Sequence, residues 1–93
     1  MKLAKHCLAD MIGRIVLLSD KETSSRLAGV VTEAKDEDGV LAIKVNLIEL
    51  ESGAELPPRW WNFDASGIER TPTGTFILGE DSIMLPWRAG DTA

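Results

Sequence analysis

The sequence has no tyrosine, one cysteine and one histidine in 93 residues. A single cysteine excludes an internal disulfide, and with one histidine beside it no tetrahedral Cys/His zinc site can be completed within the chain. His6 and Cys7 are adjacent, and neighbouring residues on a helix point apart, so they do not form a nucleophile and base pair. Cys7 reads as a small buried hydrophobe and His6 as a surface residue. Long apolar runs are also missing. The strongest, residues 15–18 and 40–45, fall far below the roughly 20 residues that span a bilayer, and no N-terminal run has signal-peptide character. A reducing cytoplasm is the expected compartment. The eight glycines are dispersed, which leaves no phosphate-cradling loop.

Basic charge is scarce as well: ten Lys and Arg face fifteen Asp and Glu, for a net charge of −5. That balance opposes general binding to nucleic acid, which depends on attraction to phosphate. A small anionic ligand stays compatible with it, because a few convergent arginines and backbone N–H groups can hold a phosphate whatever the total charge. With 44% hydrophobic and 27% charged residues the chain folds rather than staying disordered. At this length one domain is expected, burying about 60 to 65% of the unfolded surface, and association into a homo-oligomer would add stability.

Leu3, Cys7 and Met11 recur at helical spacing, with Leu8 and Ile12 adjoining, and predict a short amphipathic helix over residues 2–12 stopped by Gly13. Beyond it, short apolar runs alternate with Gly, Asp, Pro and Ser clusters, the punctuation of a β protein. Residues 14–19 and 27–34 read as the first two strands. Asp38-Gly39 predicts a tight hairpin into a long central strand in which Leu41, Ile43, Val45 and Leu47 share one face and Ala42, Lys44, Asn46 and Ile48 the other. Ser52-Gly53 turns the chain, and Pro57-Pro58 marks an edge and a short strand through the tryptophans. Asp64 to Gly67 turns the chain back through Ile68 to Arg70, residues 75–78 and 83–85 supply the last strands, and 88–93 reads as a loose tail. The expected fold is mainly β, a small bent sheet or SH3-like barrel of five to seven antiparallel strands with a short N-terminal helix. The acids Glu33, Asp36, Glu37 and Asp38 gather at a hairpin tip, where solvation explains them and mimicry of DNA phosphates is the sharper alternative.

No motif sets two carboxylates in an acid/base geometry. Glu80-Asp81-Ser82 is the best candidate, and a turn with side chain to backbone bonds is the favoured reading of it. An enzyme, a cofactor and a metal are therefore not expected. All five aromatic residues lie in the last 34 positions, and Arg59-Trp60-Trp61-Asn62 is the densest group, supplemented by Trp87-Arg88. Trp and Arg dominate binding hot spots, and the same pair can stack a nucleobase and clamp a phosphate. Alternatively the tryptophans supply core bulk in a chain poor in other aromatics. Side chains of a strand alternate, so Trp60 and Trp61 cannot both enter one single-sided core. One should be core, and the other should lie with Arg59 at a subunit contact or pocket.

Residues 13–18, Gly29-Val30-Val31 and Asp38-Gly39-Val40 resemble the meander of SH3-like or Sm-like barrels. Trp61 to Gly67, followed by Gly79-Glu80-Asp81-Ser82-Ile83-Met84, is similar to the closing half of small phage-encoded accessory proteins. That resemblance implies a counter-defence role, either sequestering a nucleotide immune signal or blocking a host defence protein. Two functions follow. In the first, Arg59, Trp60, Trp61, Asn62, Trp87 and Arg88 hold a small nucleotide-like ligand in an oligomer. In the second, the same residues dock a macromolecular partner in a protein-interaction module, and the acidic surface selects a basic one.

Overall fold

The computed structural model describes residues 5–89, with side chains from Leu8 onward, so the expectations for the helix at residues 2–4 with Leu3, for the side chains of His6 and Cys7 and for residues 90–93 lie outside it. One helix, α1 (Lys5–Met11), precedes β1 (Arg14–Asp20), β2 (Ser25–Glu37), β3 (Val40–Glu49), β4 (Glu55–Asp64), a single 3-10 turn (Ala65–Gly67), β5 (Glu69–Arg70), β6 (Phe76–Gly79) and β7 (Ser82–Arg88). The strands form one antiparallel sheet in the order β4-β3-β2-β1-β7-β6-β5. The expected fold class is the one found, in its bent-sheet form. The sheet curls far enough for β4 to pack near β6, yet β4 and β5 remain its two free edges.

Local chemistry sets the elements. Asp38 and Gly39 both take positive φ, 52° and 81°, and join Glu37 to Val40 in the two-residue turn whose twist matches a hairpin. Gly29 answers a different need: a Cβ there would stand 2.2 Å from the Asn46 carbonyl oxygen, so β2 and β3 could not approach where the sheet bends. The inner face carries the alternating set anticipated for β3, with Leu41, Ile43, Val45 and Leu47 buried together with Val16, Leu18, Leu27, Val31, Phe76, Leu78 and Met84. Met11 of α1 is fully buried in the same core, and Leu8 packs against it.

Two expectations are corrected. The tryptophan strand is ten residues long rather than short, because β4 passes straight through Pro57-Pro58. Two steps along β3, from Val45 to Leu47, face three along β4, from Arg59 to Leu56, so the prolines occupy a bulge where an edge strand can forgo their missing N–H groups. Arg88 is no loose tail. It ends β7 opposite Arg14, and its guanidinium donates to the Asp10 carboxylate, the Asp10 carbonyl at 2.8 Å and the Ile12 carbonyl at 3.3 Å. A contact between residues so distant in sequence leaves no local pattern.

Candidate functional site

The structure separates the residues that the sequence clusters. Trp61 pairs with Ile43 on the inner face, half-buried against the core, while Trp60 pairs with Lys44 on the outer face and is 41% exposed. The alternation of β4 thus splits the pair. Arg59, two residues before Trp61, shares the inner face with it and not with Trp60. Its guanidinium stacks 3.9 Å from the Trp61 ring centroid and meets the Asp20 carboxylate at 3.6 Å. Asp20 ends β1, with β2 and β3 lying between it and β4 in the sheet, so this ion pair bridges one mouth of the curled core over Leu27, Leu47 and Leu56. Beneath the stack the Trp61 indole N–H is buried with no hydrogen-bond partner among the described residues.

Trp60 and Asn62 face outward with Lys35, whose ammonium sits 4.9 Å from the Trp60 ring and 3.1 Å from Glu37. These side chains, with Val40 and Ala42, border an open hollow of about 530 Å³. Trp87 is exposed on β7, and Arg88 is committed to α1. The six residues therefore occupy three places. No convergent basic pocket joins them.

The two carboxylates held below their ordinary pKa serve local structure. Hydrogen bonds from Arg88 and then Arg14 lower Asp10, and the hydroxyl and N–H of Ser66 lower Asp64 at the cap of the 3-10 turn. Glu80 and Asp81 form the exposed turn between β6 and β7. Among the described residues no group of three or more His, Cys, Asp or Glu is placed to hold a metal.

A surface that the aromatic cluster does not announce lies on the outside of the sheet. The pairings Ile77 with Ile83, Ile83 with Leu17, Leu17 with Ala28 and Ala28 with Ile48 connect five apolar residues into one belt across five strands. Glu69 of β5 pairs with Ile77 at one end and Glu55 of β4 with Ile48 at the other. Ile15 and Val30 form an adjacent apolar pair, and two hollows, of about 530 and 330 Å³, flank the belt beside Val30 and beside Leu50. No element of the described chain covers it; Ile48 and Leu50 are 45% and 52% exposed. The signal was present in the run Ile15-Val16-Leu17-Leu18, since a strand apolar at every position reads as buried on both faces, and a chain with one short helix has nothing to lay over the second.

Among the described residues no helix is long and apolar enough to cross a membrane. No protein-family model, curated protein or solved structure matches this chain.

Proposed function

We propose that this protein is a non-enzymatic protein-interaction module that docks a macromolecular partner on the outer face of its sheet. The observation that carries this reading is the apolar belt from Ile77 to Ile48, partly exposed along its length and open at Ile48, on the side of the sheet opposite the core. Contiguous exposed apolar surface rimmed by charge marks sites of association. Trp60, a residue type typical of hot spots, stands on the same outer face, so part of the tryptophan cluster is retained in the reading.

The nucleotide-binding alternative draws less support from the geometry. Binding a phosphate beside a stacked base needs cations and rings that converge, but Arg59 lies on Trp61 with Asp20, Arg88 lies on Asp10, and Trp60 faces the other way. The two functions separate in one comparison. The wild-type chain, an outer-face variant carrying Ile48→Asp with Ile83→Asp, and an inner-face control Trp61→Phe are used as affinity baits in a lysate of the source cells. A protein retained by the wild type and the control and lost from the outer-face variant is the expected result. Retention indifferent to the outer-face changes would overturn the proposal. So would a nucleotide that co-purifies with the wild-type chain and binds it more tightly than about 100 μM, roughly −5.5 kcal/mol.

A further inference from the structure

The border of the belt carries a chemistry of its own. Glu55 and Glu69 close its two ends, and Asp81 lines the hollow beside Ile83, which Arg26 also lines. Glu55 and Glu69 are exposed and form no ion pair among the described residues, in contrast to Glu33 and Glu37, which are matched by Lys44 and Lys35. Resting on the docking function proposed above, we propose that the belt receives a short extended segment of another protein, apolar at its centre and flanked on both sides by Lys or Arg.

Three considerations select this occupant. The first is size. From Ile77 to Ile48 the belt crosses four inter-strand steps, about 19 Å, in a row one side chain wide that only the Ile15 and Val30 pair broadens. A stable dimer usually needs about 800 Å² from each partner, more than so narrow a row offers a second copy of this chain, whereas about six residues of an extended segment, near 3.3 Å each, match the length. The second is charge. Two copies stacked face to face with aligned belts would bring Glu55 against Glu55 of the second copy, or against its Glu69 end, and like charges in direct opposition destabilise either arrangement. A segment with cations beyond its apolar centre meets carboxylates instead. The third is solvation. The border carboxylates are exposed, so their attraction sets encounter rate and selectivity while apolar burial supplies the affinity.

The test uses the whole chain and three synthetic peptides sharing a centre of about six Leu and Ile residues, flanked on both sides by lysines, serines or glutamates. Calorimetry or Trp60 fluorescence is expected to give the lysine-flanked peptide at least about tenfold tighter binding than the glutamate-flanked one, with the gap shrinking as salt rises from about 0.05 to 0.5 M. The variant Glu55→Lys with Glu69→Lys, altered only at exposed positions, should reverse the order. Serine-flanked binding that is lost in Ile48→Asp, together with equal affinities for the two charged peptides, would sink the partner chemistry and leave the docking function standing. No binding of any peptide at about 1 mM, near −4.1 kcal/mol, would overturn both. A micromolar dimer in sedimentation that Ile48→Asp with Ile83→Asp converts to monomer would assign the belt to a second copy and overturn the proposal.

Discussion

The two ends of β1 carry the same three kinds of residue and use them differently. At its start, Arg14 lies 5.3 Å from the Phe76 ring, donates to the Asp10 carboxylate, to the Asp10 carbonyl at 3.1 Å and to the Gly74 carbonyl at 3.1 Å, and is 5% exposed. At its end, Asp20 receives Arg59 at 3.6 Å, and Arg59 stacks on Trp61 with half of its side chain in water. Burial decides what the trio does. Where α1, the 71–75 loop and β7 converge, the guanidinium has several acceptors in fixed directions, so it pins the helix to the sheet. At the mouth crossed by β4 the same groups form a screened pair and a stack, so they cover core edge without fixing it.

The strongest way to break this comparison is to remove the pin. Arg14→Ala leaves the Gly74 carbonyl and one side of Asp10 without their donor and should cost about 2 to 3 kcal/mol, which in a domain of this size is a fall of roughly 10 to 20 °C in Tm. A loss no larger than that of Arg59→Ala would erase the distinction. Next in size comes the ring under Arg59. Trp61→Ala removes half-buried bulk from the core edge and should cost about 2 kcal/mol, while Trp60→Ala on the outer face should cost less than about 1. Trp61→Phe should fall well below Trp61→Ala, because it keeps a ring and deletes an indole N–H that has no partner. Urea unfolding of the three variants ranks them directly. Equal costs for Trp60→Ala and Trp61→Ala would mean that the two faces are not distinct.

The inner face was legible because its signals are local. Asp38-Gly39 located the hairpin, the period of two in residues 41–47 chose the core side of β3, and Gly13 ended the helix. The opposite orientation of Trp60 and Trp61 followed from the same period. Placing Arg59 with the tryptophan outside the core missed it, for residues 59 and 61 share a face just as surely and Trp61 is the one packed against the core. Long-range contacts were illegible: nothing near Asp20 points to Arg59, which depends on how far the sheet bends, and nothing near Arg88 points to Asp10, which depends on β7 lying beside β1. The outer belt falls between these cases. Each of its residues stands in a recognisable strand, but their alignment is set by strand order, and β7 reaches β1 only because the chain doubles back after β4.

Acid probes the pin at smaller amplitude. Asp10 is held below the ordinary carboxylate range chiefly by its hydrogen bond from Arg88, then by that from Arg14. A carboxylate whose folded pKa is depressed contributes stability that is complete well above its unfolded value, near 3.9, and that disappears as pH falls through and below it. Stability should therefore decline from about pH 5 downward, with Asp64, lowered by Ser66, adding to the slope. Asp10→Asn should flatten part of that decline and lower the plateau at neutral pH. Because Asp10 is 48% exposed, solvent screens the effect below that of Arg14→Ala. An unchanged pH profile in Asp10→Asn would remove Asp10 from the pin.

The smallest expected effect is the most discriminating. A double-mutant cycle of Asp20→Ala with Arg59→Ala should return a coupling of less than about 0.5 kcal/mol, since the pair is long and Arg59 is half exposed. Asp20 also accepts the Glu22 N–H at 3.0 Å, so its single substitution carries a turn cost that the cycle subtracts. A second cycle of Arg59→Ala with Trp61→Leu, which removes the ring, measures the stack separately, and a coupling near 0.5 to 1 kcal/mol would place the ring above the carboxylate as the partner that matters to Arg59. Coupling to Asp20 above about 1.5 kcal/mol would instead make this mouth of the core a second pin, and the contrast between the two ends of β1 would no longer follow from burial.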